Sequence, residues 1–301
     1  MAARRFKLLV DAAVGLSVVG TLHAAKLMDR RRTANWAGAL TRKTGPWHPE
    51  HRIGRENLRA AFPEKSDAEI ETILAGVWDN LGRVAAEFAH LDEFQFESVS
   101  PLTRDTVRLA PEAIERVARI KAAGKPVIGF ASHLANWELS ALAAKLYGTR
   151  SAILYRRPNV GAVGDVITRL REPLMGELVR TSFDAPVKLA RLLQSGVHVG
   201  ALVDQHYTKG VEVTFFGRRC LANPLVAVLA RQTECPIHGM RVVRLPDRNS
   251  FWGEITEAVE PARDAEGRID IAGTMQAVTS VVEGWVREHP EQWLWLHRRW
   301  R

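Results

Sequence analysis

The sequence predicts an α/β fold in which a sheet is flanked by helices and preceded by a basic, apolar N-terminal helix. Three observations predict it. From about residue 110 onward, short apolar runs alternate with helical stretches, the pattern of strands covered by helices on both faces. The chain has 301 residues, 46% hydrophobic and 25% charged, the composition of a folded protein with a sizeable core. Finally, the net charge of +8 is concentrated at one end: residues 1–65 hold thirteen Lys/Arg against five Asp/Glu, and the remaining residues are balanced.

That charge distribution bears on function. A nucleic-acid-binding protein lines a face of its main domain with basic residues, and this chain does not, so no nucleic-acid partner is expected. A cationic N-terminal segment suits an anionic lipid surface, where each Lys or Arg contributes about 1 kcal/mol. Residues 6–25 are mostly apolar, flanked by Arg4, Arg5 and Lys7 before and by Lys26, Arg30, Arg31 and Arg32 after. Their length is close to the ~20 residues of a membrane span, but Asp11 and His23 interrupt the run. An interfacial or anchoring helix is the first expectation, a marginal span the second and a buried helix the third. Basic residues on both flanks give no orientation.

Three regions are expected: a membrane-associated helix over 1–32, a helical region over 33–110 and an α/β catalytic domain over 111–301. Within the second, residues 49–91 read as helical, punctuated by Pro63, with Ser66-Asp67-Ala68-Glu69 as a capping box. The third contains strand candidates at Pro126–Ala131, Ser151–Tyr155, Val197–Val203, Val211–Phe215, Pro236–Val243 and Phe251–Glu257. Helices are expected near 134–147, 160–176, 185–194 and 221–233, with a final helical region over 272–299. Cys220 and Cys235 form no C-x-x-C pair, so neither a disulfide framework nor a thiolate metal site is expected.

The chemistry concentrates in Ser132-His133-Leu134-Ala135-Asn136-Trp137-Glu138, where a buried strand meets a helix. Ligands gather at the carboxyl ends of strands in α/β sheets. Residues five apart on one helix point in different directions, so His133 and Glu138 meet only if His133 lies in the turn before the helix. Glu138 would then accept the His133 Nδ1–H and leave Nε2 as a general base. The N–H groups of Leu134 to Asn136 are candidates for stabilising an oxyanion. An ordinary core histidine with a nearby carboxylate is the competing reading, and the residues alone leave both open.

The segment His133-Leu134-Ala135-Asn136-Trp137-Glu138 resembles the H-F-G-N-W-E motif of the lipid A biosynthesis acyltransferase family. The resemblance continues in order through Tyr155-Arg156-Arg157-Pro158-Asn159, Val203-Asp204-Gln205 and Val211–Gly217, and closes with His289–Trp300. Leu134-Ala135 departs from the usual Phe-Gly, and Ala135 has less backbone freedom than glycine. The resemblance implies a mixed sheet similar to that of the glycerol-phosphate acyltransferases, whose own motif is H-x4-D. It also implies acyl carrier protein thioesters as donors, a Kdo-bearing lipid A precursor as acceptor, and a place on the cytoplasmic face of the inner membrane. His133 would deprotonate the 3-hydroxyl of an acyl chain on the precursor, and the alkoxide would attack the thioester without an acyl-enzyme. Consistent with direct transfer, the sequence has no G-x-S-x-G elbow. A related acyltransferase acting on glycerol phosphate or a phosphoinositol mannoside, and a non-catalytic lipid-binding homologue, are the alternatives.

Supporting residues follow from position. Arg156 and Arg157 fall in a loop at the sheet edge, where a guanidinium clamps a phosphate or polarises a thioester oxygen. Arg169 and Arg171 fall on the next helix as second-rank phosphate contacts, with a salt bridge to Glu172 or Glu177 the simpler account for both. Asp204 ends a buried strand, placed to hold a substrate group or an arginine, or else to start a turn. Asn136 joins the expected substrate-binding set. No metal is expected, because Asp204 and His206 lack further ligands nearby, and no cofactor beyond the thioester co-substrate. Trp293 and Trp295 are expected in the core rather than at a headgroup boundary.

Overall fold

A computed structural model describes residues 15–96, 106–146, 148–157 and 161–300. Residues 6–14 of the expected N-terminal helix, and Pro158 and Asn159 of the arginine loop, lie outside the described residues.

Helical structure comes first. Residues 15–26 (α1) precede α2 (Arg30–Thr44), α3 (Pro49–Ala61) and α4 (Asp67–Glu87). The capping box forms as its residue types require: Glu69 Oε2 accepts the Ser66 backbone N–H at 2.8 Å, and Ser66 Oγ accepts the Glu69 N–H at 3.4 Å. Asp29 caps α2 by accepting the Arg32 N–H. Among the described residues, no helix is long and apolar enough to cross a membrane.

The rest of the chain weaves the sheet. In chain order it runs β1 (Gln95–Phe96), β2 (Thr106–Leu109), α5 (Pro111–Ala123), β3 (Ile128–Ala131), α6 (Glu138–Leu146), β4 (Ser151–Tyr155) and α7 (Gly161–Met175). It continues with β5 (Glu177–Arg180), α8 (Ala185–Gln194), β6 (His198–Leu202), β7 (Val211–Phe215), β8 (Arg218–Ala222) and α9 (Leu225–Thr233). It ends with β9 (Ile237–Arg244), β10 (Phe251–Ala258) and α10 (Ile271–Glu288). Among the described residues, eight strands form one mixed sheet in the order β1-β2-β10-β9-β3-β6-β4-β5, while β7 and β8 pair separately as a hairpin. Strands β9, β3, β6, β4 and β5 run parallel, and β10 is antiparallel to β9. The expected mixed α/β fold is therefore present.

Several boundaries differ from expectation, each for a local reason. The helix expected from 134 starts at Glu138, because residues 132–137 are taken up by the turn that carries His133. The helix expected from 221 starts at Leu225, because β8 extends through Ala222. The last helical region ends at Glu288, with Pro290 beginning a short 3₁₀ turn and residues 293–300 running back through the core. Strand β5 was not expected, being an edge strand with one buried position, Val179.

Residues 293–300 explain why the C-terminus is aromatic. Trp293 and Trp295 are almost fully buried, their rings 4.6 Å apart and edge-on. Trp295 packs on Phe62 and Phe216. Asn57 Nδ2 on α3 donates to the Trp295 and His297 carbonyls at 2.8 and 2.7 Å. These bonds fasten the C-terminal segment against the helical region, and its Leu294 N–H in turn donates to the His133 carbonyl at 3.1 Å.

Candidate active site

Strands β3 and β6 are parallel neighbours, and Ala131 pairs with Leu202 at their carboxyl ends. His133 and Asp204 each follow two residues later, so the register sets them side by side. The ring Nδ1–H of His133 donates to Asp204 Oδ1 at 2.8 Å, and the His133 backbone N–H donates to Asp204 Oδ2 at 2.7 Å. Trp293 Nε1–H donates to the same Oδ2 at 2.7 Å. Burial opposes ionisation of Asp204, yet the adjacent His133 ring, His297 and these hydrogen bonds hold its carboxyl well below the usual range. A carboxylate on Nδ1 fixes the tautomer of the neutral ring, in which Nε2 is the acceptor. That Nε2 points toward the cavity, with the Gln205 side-chain amide 3.4 Å away, and Trp137 packs edge-on to the ring at 5.0 Å.

The expected His133–Glu138 hydrogen bond is not present. Glu138 instead forms a two-pronged ion pair with Arg171 on α7, Arg171 Nε donating to Oε2 at 2.8 Å and Nη2 to Oε1. The reason is geometric: Glu138 opens α6, and its side chain turns toward α7 rather than back over the turn. Asp204 occupies the position against Nδ1. Arg171 thus meets Glu138 rather than Glu172 or Glu177.

The turn itself is built by the helical region. Ala135 adopts a left-handed conformation (φ 47°), which costs a non-glycine residue about 1–2 kcal/mol. Its N–H donates to the Gln292 carbonyl at 2.9 Å, and its carbonyl accepts Asn80 Nδ2 at 3.1 Å. The Leu134 N–H bonds the Ser132 carbonyl. The N–H groups of Leu134 and Ala135 are therefore spent inside the protein, against the expectation that they face an oxyanion. Asn136 is fully buried: its Nδ2 donates to Glu87 Oε2 at 2.9 Å and its Oδ1 accepts the Glu138 N–H at 3.2 Å. It braces the turn and does not line the cavity.

The cavity has a volume of about 920 Å³ and runs over the sheet under α6. Its lining includes His133, Trp137 and Glu138 with Arg156, Arg157 and Arg180 at the carboxyl ends of β4 and β5 and Arg171 on α7. Gly129 and Gly200, paired across β3 and β6, contribute to its floor, where the Met240 and Ile153 side chains lie over them. Arg157 is ion-paired with Asp165, whereas Arg169 is exposed and lies outside the lining. The structure thus brings His133, Glu138, Arg156 and Arg157 to one cavity and sets Asp204 directly behind His133.

Arg171 and Trp293 are the site residues that sequence reasoning underrated or missed. Trp293 was assigned to the core, where it does lie, but its indole N–H also orients Asp204. The signal for both was the placement of polar groups at the ends of adjoining elements, which becomes visible only once strand order is known.

The family model of bacterial lipid A biosynthesis acyltransferases matches residues 4–301. Comparison with the curated proteins gives no match.

Proposed function

Since the chain belongs to the bacterial lipid A biosynthesis acyltransferase family, we propose that it moves a fatty acyl chain from an acyl carrier protein thioester to a lipid A precursor. The acceptor is a hydroxyl on an acyl chain of a Kdo-bearing precursor. One observation carries the reading: a histidine anchored through Nδ1 by a buried carboxylate presents Nε2 to a large cavity that combines an apolar floor with an arginine-rich mouth.

The chemistry follows from this geometry. Nε2 takes the proton of the acceptor hydroxyl as its oxygen bonds to the thioester carbonyl carbon. The tetrahedral intermediate collapses, the carbon–sulfur bond breaks, and the thiolate recovers the proton from the imidazolium. Asp204 stabilises that imidazolium without being protonated. Arg171, held by Glu138 in the same cavity lining, is assigned to the oxyanion, the role for which the spent N–H groups of the turn are unsuited. Arg156 and Arg157 are assigned to the sugar phosphate. The apolar floor takes the acyl chain.

The same reading puts the protein on the cytoplasmic face of the inner membrane. The described N-terminal helices expose Leu16, Leu27, Met28, Trp36, Leu40 and Trp47 beside a cationic segment. Exposed tryptophans among basic residues suit a headgroup boundary. The test is mass spectrometry of lipid A from cells with and without the protein. One acyl chain should be missing in its absence; identical lipid A would contradict the proposed substrate.

A further inference from the structure

The acyl cavity has a neighbour. A smaller, almost wholly apolar cavity of about 80 Å³ lies over β9 and β10, between α5 and α6. Five residues line both spaces: Val127, Ser140, Ala144, His198 and Met240. Val127 and His198 sit at the amino ends of β3 and β6, the end of the sheet far from His133. From residue 133 back to 127, an extended chain covers about 20 Å, and the larger cavity follows that path.

Met240 divides the two spaces. Its side chain leans from β9 across Gly129, with Cε 3.1 Å and Sδ 3.4 Å from where a Cβ on Gly129 would stand. Gly129 therefore provides the seat for the Met240 tip. Methionine is unbranched and fills irregular gaps, so it makes a wall that a single substitution removes. Burial lowers the His198 pKa, which disfavours a charged ring at this end of the cavity.

We propose that Met240 sets the length of acyl chain this protein transfers, by closing the passage from the acyl cavity into the apolar space over β9 and β10. This rests on the acyl-transfer reading above and goes beyond it by assigning chain-length selection to one residue. A chain that fills the first cavity stops at Met240; a longer one has nowhere to lie.

The experiment gives full-length protein a series of saturated acyl carrier protein thioesters of stepped length, with a lipid A precursor as acceptor, and ranks transfer rates. Met240→Ala and Met240→Val, the latter introducing a β-branched residue suited to β9, open the passage. In both, the rate ratio of the next longer donor to the wild-type optimum should rise at least about tenfold, the discrimination a methylene group gives in an apolar pocket. Adding Ala143→Leu, which fills the second cavity from α6 without touching the first, should return the wild-type order. An unchanged ratio in a folded, active variant overturns the gate while leaving the acyl-transfer reading in place. Loss of all transfer in a folded Met240 variant also overturns it, since a gate at the far end leaves the chemistry at His133 intact. If the wild-type protein transfers no donor, the reading fails and the gate fails with it.

Discussion

Glu87 on α4 and Arg244 on β9 form a fully buried, two-pronged ion pair, Nη1 to Oε1 at 2.5 Å and Nη2 to Oε2 at 2.9 Å. The same Glu87 oxygen accepts Asn136 Nδ2, and Arg244 Nε donates to Asn80 Oδ1. Through Asn80 and Asn136, the pair holds both sides of the turn that carries His133. Removing one partner of such a pair leaves a buried charge uncompensated. Glu87→Gln is expected to cost about 3–5 kcal/mol of unfolding free energy, read from denaturant melts. A loss below about 1 kcal/mol would show that the pair does not hold the turn.

Asp204→Asn tests which carboxylate orients His133. An amide in place of Asp204 no longer stabilises the imidazolium and offers its own N–H to a site that already receives three donors. The turnover number should fall about 10²–10⁴-fold with KM little changed. Glu138→Gln instead loosens Arg171, and its loss of turnover should respond less steeply to pH than that of Asp204→Asn. The reverse ranking would restore the dyad read from the spacing.

Acidification should weaken the fold through His198 and His297. Burial holds both below the ordinary histidine value. Below about pH 6.5 the unfolded chain therefore takes up protons that the folded chain does not. Stability is then highest above that pH and falls as pH drops through it. Thermal melts at stepped pH should show this slope, and His297→Asn should make it shallower. A wild-type melting temperature that rises on going from pH 7 to pH 5.5 would contradict the assignment.

Membrane binding should depend on α2 and the following turn as well as on the N-terminal helix. Trp36→Ala with Trp47→Ala removes two exposed aromatic rings and should lower the fraction bound to anionic vesicles severalfold, while neutral vesicles bind little of either protein. Arg30 is buried over the Phe94 ring, so truncation should stop before it. Unchanged sedimentation of the double variant would remove this face from the membrane contact.

How much of this was legible in the sequence depended on distance along the chain. Local features were readable: the Ser66–Glu69 capping box, β4 and β7 to the residue, and the position of His133 past the end of β3. Pairings that depend on strand order were not. Asp204 lies 71 residues from His133, and nothing in either strand's composition says that β6 inserts between β3 and β4. Glu138 was five residues away, so proximity in sequence favoured it. The positive φ at Ala135 gives a physical reason for the glycine usual at that motif position, and the Asn80 and Gln292 bonds show how alanine is held there.

The most direct measurement is acyl transfer by wild-type and His133→Ala proteins, from an acyl carrier protein thioester to a lipid A precursor, in membranes. Wild type should form the product with one added chain. His133→Ala, lacking the base, should lose at least about 10²-fold in rate while binding membranes normally. A His133→Ala protein that transfers at a rate close to wild type would contradict the account.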